Sequence, residues 1–213
     1  MQTLRRLQPV DRAFGRGRGL PIDRWYGERF MERNAHLIRG DVLEIGDDRY
    51  TRAYGGDRVT SSAVLHAIEG NQQATLVGDL ASGRGLPEGE AYDCVILYDT
   101  LQYIYDVPAA VATTHRLLRP GGTVLATFNG IVQISRSDYE RWGEFWHPTD
   151  LAVRRVFGDV FRDDAVEVET YGNVLAACGL LYGLAAEDLG ARKLEHNDPD
   201  YQVCITTRAT KTA

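Results

Sequence analysis

The segment Tyr92-Asp93-Cys94-Val95-Ile96-Leu97-Tyr98 is apolar through its centre and lacks the alternation of a strand with one wet face. Such a strand needs cover on both sides, and sheets covered on both sides are built from parallel strands joined by crossovers. The rest of the first 128 residues agrees with that demand. Strand signals at 41–46, 58–61, 74–79 and 123–128 alternate with helix or loop signals, the pattern of a parallel α/β sheet. A helix is expected from Pro21-Ile22-Asp23 towards Gly40, with Trp25, Phe30, Leu37 and Ile38 as its apolar stripe. Another runs from Pro108 to Leu118, closed by Arg119-Pro120-Gly121-Gly122. Residues 81–89 hold glycines and a proline and read as loop.

Beyond residue 128 the pattern changes. A helix is expected over 148–161, an alternating strand over 166–171, a helix over 173–189 and a closing strand over 201–207. Two late strands joined by a helical excursion suit an antiparallel edge. The expected fold is therefore α/β: a Rossmann-like, doubly wound, mostly parallel sheet with an antiparallel strand near the C-terminus. At 213 residues the chain is long enough for one well-filled core. Residues 21–213 are read as that single domain. Residues 1–20, rich in Arg and Gly, are read as a flexible arm, with an arm that orders over a ligand as the alternative.

Composition removes several functions. The formal net charge is -6, which argues against a nucleic-acid footprint, because phosphate backbones demand a basic surface. No apolar run reaches membrane-spanning length, and no apolar stretch follows the first arginines as a secretory leader requires. Cys94, Cys178 and Cys204 are widely spaced in apolar surroundings and read as free thiols of a cytoplasmic protein. No ligand pair falls at zinc spacing, so no metal is expected.

Five ordered signals carry chemistry: "VLEIG" at 42–46, a second strand, "LVGDL" at 76–80, "YDCVILYDTLQYIYD" at 92–106 and "LLRPGGTVLATF" at 117–128. In this order they resemble the class I, S-adenosylmethionine-dependent methyltransferases. The resemblance covers about residues 40–130. It implies that the loop at Gly46 passes under the methionine part of the cofactor, with Glu44 orienting the loop or accepting from the cofactor's amine. It implies an adenine contact at Asp79, beside Leu80, and a methyl-transfer site facing the end of the fourth strand at Tyr98. A carboxyl group that simply pins backbone N–H groups (Glu44) or caps the next turn (Asp79) is the structural alternative for each acid. The ribose acid of the family is expected near Ala63, where the chain reads Ser61-Ser62-Ala63-Val64; Ser62 or Ser61 is left to bind the sugar.

The glycine loop also departs from the family, reading Gly46-Asp47-Asp48-Arg49. Asp47 and Asp48 would repel a pyrophosphate and favour a cationic sulfonium or ammonium. With GxGxxG absent, this disfavours a dinucleotide-dependent oxidoreductase. Acceptor candidates are Gln102 and Tyr103 after the fourth strand, then Arg136 and Trp146 within "SRSDYERWGEFWHPTD" at 135–150. Trp142 and Phe145 in that segment are read as packing. His147 and Asp99 are the candidate general bases, imidazoles being best poised for proton transfer near neutral pH. A looser similarity to small bacterial methyltransferase-like proteins of glycan or natural-product biosynthesis rests on "PIDRWYGERF" (21–30), "VLEIGDDRYT" (42–51), "SRSDYERWGEFW" (135–146) and "YGNVLAA" (171–177). The implied function is O-methylation of a sugar or other small polar metabolite, with S-adenosylmethionine as cofactor. The alternative is the same fold binding a ligand, or catalysing a non-methyl reaction, without methylating. The implied partner is a small-molecule acceptor, with neither nucleic acid nor membrane.

Overall fold

The computed structural model describes residues 6–212; residues 1–5 of the expected arm lie outside the described residues. Strands β1 (Gly40–Ile45), β2 (Val59–His66), β3 (Leu76–Val77), β4 (Tyr92–Leu97), β5 (Leu118–Asn129), β6 (Val166–Tyr171) and β7 (Cys204–Thr210) form one sheet. Its order is β3-β2-β1-β4-β5-β7-β6. The first five strands pair in parallel, and β7 is antiparallel to both β5 and β6, as expected from the sequence. The helices are α1 (Ile22–Arg33), α2 (Val107–Leu117), α3 (Arg136–Trp142), α4 (Asp150–Phe161), α5 (Val174–Leu181), α6 (Ala186–Leu189) and α7 (Ala191–Leu194). Among the described residues no helix is long and apolar enough to cross a membrane.

The apolar β4 is explained by the two layers around it. On one face Phe30 and Met31 of α1 pack with Val42, Cys94, Ile96 and Leu125. On the other, Val111 and Leu117 of α2 and Phe157 and Phe161 of α4 pack with Leu43, Val95, Leu97 and Val124. Neighbours along each strand therefore point to opposite, equally dry faces. Each fully buried side chain here contributes about 1.5–3 kcal/mol of transfer free energy, and Phe157 and Val95 are both 0% exposed.

Several boundaries differ from the expectation. β2 runs to His66, not Ser61, because Ala63-Val64-Leu65 pairs in register with Leu43-Glu44-Ile45 of the central β1. The two serines, at which the strand was expected to end, are exposed positions on a continuing strand. β3 shrinks to two residues, β5 starts earlier at Leu118, and β7 lies slightly later in the chain. The helix expected over 173–189 breaks after Leu181. There Gly183 adopts φ +71, and a Cβ would lie 1.9 Å from the carbonyl oxygen of Asp11.

That contact belongs to the N-terminal segment. Val10 N donates to Tyr182 O at 2.8 Å. The Arg18 guanidinium grips Asp188 through Nε at 2.8 Å and Nη2 at 2.6 Å, and Leu20 N donates to Glu187. Expected as a free arm, the described part of 1–20 lies against the α5–α6 corner. The sheet order reverses between β1 and β4, so their carboxyl ends flank the crevice where open α/β sheets bind ligands.

Candidate active site

Two clefts open at that end of the sheet. The first, about 600 Å³, is lined by Ile45 and Gly46 after β1, Leu65 and His66 of β2, Asp79 and Leu80 after β3, and Tyr98 and Asp99 after β4. Tyr105, Asp106, Trp142 and Phe145 form its outer wall. The second, about 950 Å³, is lined by Arg12 and Arg16 of the N-terminal segment, Asp23 and Arg24 of α1, Asn129 of β5, and Ser135, Arg136 and Asp138 around α3. Asp99 and Tyr103 line both.

The floor of the first cleft is fixed by Glu44, which is 2% exposed. Its Oε1 accepts from Tyr50 N at 2.9 Å, and its Oε2 accepts from Thr51 N at 2.8 Å and Thr51 Oγ1 at 2.7 Å. Burial pushes this carboxyl above its ordinary range, and the three donors oppose the shift. Glu44 therefore pins the turn after Gly46, as the structural alternative had it. Gly46 stands at φ +86, where a Cβ would meet nothing within 4 Å. Its N donates to Leu65 O at 2.9 Å, and its carbonyl accepts from Asn71 Nδ2 at 2.6 Å. It presents bare backbone to the cleft.

Asp79 and Leu80 line the cleft as expected. Asp79 also shapes its own loop: Oδ1 accepts from Ala81 N at 2.9 Å and Oδ2 from Ser82 Oγ at 2.7 Å. The Ser82 hydroxyl holds this carboxyl below its ordinary range. Tyr98 stacks on Tyr50 with ring centroids 4.3 Å apart, and burial beside Asp99 raises its phenol well above the usual value.

Asp99 is the most perturbed acid where the clefts meet. It is a non-glycine residue at φ +45, a conformation rarely held without surrounding support. Support comes from Thr127: Asp99 N donates to Thr127 Oγ1, and that hydroxyl donates to Asp99 Oδ1, both at 2.9 Å. Burial, and then the like charge of Asp23, push the Asp99 carboxyl up to about 7, against the pull of Thr127, Arg24 and Arg16. A carboxyl so poised can take a proton near neutral pH.

Other expected site residues lie elsewhere. Asp47 is exposed and off the cleft lining, accepting from Arg49 N at 2.9 Å, and Asp48 is paired with Arg52 at 3.0 Å. The acidic pair organises the turn. Ser62 lies four residues before the end of β2, away from both clefts; His66, at the strand end, lines the first cleft. Gln102 is 1% exposed and lines neither cleft. Trp146 also lines neither; its Nε1 donates to Ile104 O at 3.1 Å and Tyr105 O at 3.2 Å. His147 faces Gly130 O at 3.2 Å through Nδ1 and Glu144 at 3.1 Å through Nε2. Both its nitrogens are engaged with acceptors outside the clefts, so neither is presented to a substrate.

Tyr103 and Arg136 line the second cleft as expected. Trp142 and Phe145, read as packing, line the first. Their place in the aromatic cluster was visible, but not the way α3 and the strand ends bring them to the cleft. None of Arg12, Arg16, Asp23, Arg24, His66 and Asp106 had a site role in the sequence analysis, although Asp23 and Arg24 stand in "PIDRWYGERF" and Asp106 ends "YDCVILYDTLQYIYD".

Residues 40–126 match the family model of a methyltransferase domain. Over that segment the chain is similar to a methyltransferase domain. No curated protein matches the chain by sequence. Among solved structures it is similar to a phosphoethanolamine N-methyltransferase 2 of Haemonchus contortus in complex with phosphomonomethylethanolamine and S-adenosylhomocysteine. Identity is 16% and the TM-score 0.56, over 88% of this chain and 52% of that one, so this chain spans about half the length of that enzyme. It is similar to the N-methyltransferase NodS of Bradyrhizobium japonicum in complex with S-adenosyl-L-homocysteine, at 13% identity and TM-score 0.54, covering 100% of this chain and 96% of that one. A SAM-dependent methyltransferase from Archaeoglobus fulgidus matches at 10% identity and TM-score 0.55, covering 87% and 94%. The matched segment supplies the first cleft except for Trp142 and Phe145. Of the second cleft it supplies only Asp99 and Tyr103.

Proposed function

We propose that this chain transfers a methyl group from S-adenosylmethionine to a small polar acceptor, at oxygen. The observation that carries the reading is the meeting of two clefts of unlike character at Asp99 and Tyr103. Asp79, Asp99 and Asp106 line the first cleft, and no lysine or arginine among the described residues does, which suits a cationic cofactor and disfavours a phosphate-bearing one. Its volume is ordinary for a ligand of that size. Gly46 leaves room for close backbone approach, while Leu80, Tyr105, Trp142 and Phe145 offer apolar surface to a purine. His66 Nδ1 donates to Ile68 O at 2.6 Å, which leaves Nε2 to accept from a ribose hydroxyl.

When bound, the cofactor supplies an electrophilic methyl whose bond to sulfur breaks, with its electron pair staying on sulfur, as the bond to the acceptor oxygen forms. The protein's part is alignment and proton transfer. The carboxylate of Asp99 takes the hydroxyl proton, and Thr127 holds its Oδ1 in place. A hydroxyl acceptor needs such a base, which favours oxygen as the methylated atom. His147 is outside this machinery. Since removing a general base costs ~100-fold or more, His147→Gln is expected to leave the initial rate within about threefold of wild type.

One observation favours a second reading, a protein of this fold that binds without methylating: β2 ends in His66, not in a carboxylate. Calorimetric titration with S-adenosylmethionine, and separately with S-adenosylhomocysteine, separates the two. Micromolar binding of both supports methyl transfer. Folded protein that binds neither points to the second reading.

A further inference from the structure

The second cleft has a charge pattern that general methyl transfer does not require. Arg12, Arg16, Arg24 and Arg136 line it, and none has a carboxylate within salt-bridge distance among the described residues. Arg18, between them in the chain, is fully engaged with Asp188. Asp23, Asp99, Asp138 and Glu140 line the same cleft, and none of them forms an ion pair with these arginines. Asp138 accepts from Ser135 Oγ at 2.5 Å, and Asp23 accepts from Arg24 N at 2.8 Å. Arg136 lies over the Tyr139 ring, with the guanidinium carbon 5.0 Å from its centroid, and Arg24 is 5.9 Å from that of Tyr98.

The arginines are held by three separate parts of the fold. Arg12 and Arg16 ride on the N-terminal segment, fastened by Arg18–Asp188 and by Gln133 Nε2 donating to Arg12 O at 2.7 Å. Arg24 projects from the first turn of α1 and Arg136 from the start of α3. Four guanidinium groups with no direct ion pair leave their N–H donors free to hold an oxyanion.

We propose that the acceptor is an anionic hydroxy compound, carrying a carboxylate or phosphate that Arg16, Arg24 and Arg136 bind while its hydroxyl meets Asp99. The reading rests on methyl transfer as proposed above and narrows its acceptor. Guanidinium groups suit both oxyanions, because their planar N–H pairs match two oxygens at once. The N-terminal segment then serves as a wall of the acceptor site.

The test is calorimetric titration of the protein, alone and loaded with S-adenosylhomocysteine, with five probes: inorganic phosphate, glucose 6-phosphate, 4-hydroxybenzoate, glucose and methyl 4-hydroxybenzoate. At least one anion is expected to bind, and its neutral counterpart to bind at least tenfold more weakly. Arg24→Met and Arg136→Met are each expected to weaken that anion about tenfold or more. Arg155→Met, on the exposed face of α4, is expected to change nothing. Glucose 6-phosphate or inorganic phosphate as the binder identifies the phosphate; 4-hydroxybenzoate identifies the carboxylate. Failure of every anion to bind, equal binding of neutral counterparts, or affinities untouched by either arginine variant would overturn the proposal. Arg136 is exposed, so its variant keeps the test valid if Arg24→Met fails to fold. S-adenosylhomocysteine binding is read separately: its loss with anion binding intact counts against methyl transfer, not against the arginine site.

Discussion

Gly46→Val is expected to weaken S-adenosylhomocysteine binding about 100-fold or more while leaving the protein folded, the fold-change matching roughly 3 kcal/mol. Two effects act together. Position 46 sits at φ +86, where a β-branched residue costs about 1–3 kcal/mol of backbone strain. The valine side chain would also enter the opening that bare backbone now presents, since a Cβ at Gly46 meets nothing within 4 Å. The open space means that nothing in the core must move to admit the new atoms. Gly121 separates strain from occlusion: it has φ +80 and similarly open surroundings, but lies in β5 away from both clefts. Gly121→Val is therefore expected to lower thermal stability comparably and to bind S-adenosylhomocysteine normally. Equal affinities for wild type and Gly46→Val, measured by calorimetry on folded protein, would remove the cofactor assignment from this loop.

The contrast between the clefts explains what the sequence disclosed. Gly46 and Tyr98 were readable because each follows a buried apolar strand, and such strand ends are visible in sequence; Asp79 and Leu80 were placed by the resemblance of "LVGDL". Asp99 followed from the same strand end as Tyr98. The extent of β2 was not readable, since nothing in the polar Ser61-Ser62 pair shows that the strand continues to His66 until their pairing with Asp41 and Val42 is known. That error carried the ribose candidate four residues away from His66. The second cleft was harder to find. Its arginines are separated by up to 124 positions, from Arg12 to Arg136, and meet only because the N-terminal segment docks on the α5–α6 corner. Local patterning carries no signal for such a docking. His147 and Trp146 failed in the opposite way: residue types with strong chemical associations were spent on bracing the Gly130 and Ile104–Tyr105 backbone.

Asp99→Asn is expected to abolish methyl transfer, lowering kcat ~100-fold or more as loss of a general base does, while S-adenosylhomocysteine still binds. Asparagine tolerates the positive φ of this position better than most residues, and it nearly matches the carboxylate in size, so the fold should be retained. The pH profile distinguishes proton transfer from positioning. The folded Asp99 carboxyl is raised to about 7, and only its deprotonated form accepts a proton. Wild-type kcat/KM should therefore rise with pH through about 7, and the residual rate of the variant should lack that limb. Asp23 raises this value by like charge, so Asp23→Asn should move the limb to lower pH. Stability should respond in the opposite sense. Between the ordinary carboxylate range and about 7, the folded state holds a proton that the unfolded chain has released, so stability falls as pH rises through that window. An asparagine side chain at this position carries no such penalty, and thermal unfolding at pH 8 should show the variant more stable than wild type. A variant that is inactive yet more stable is what a strained, partly buried base implies. One that loses activity and stability together, with the pH limb unchanged, would make Asp99 a structural residue and return the search for the base to the cleft.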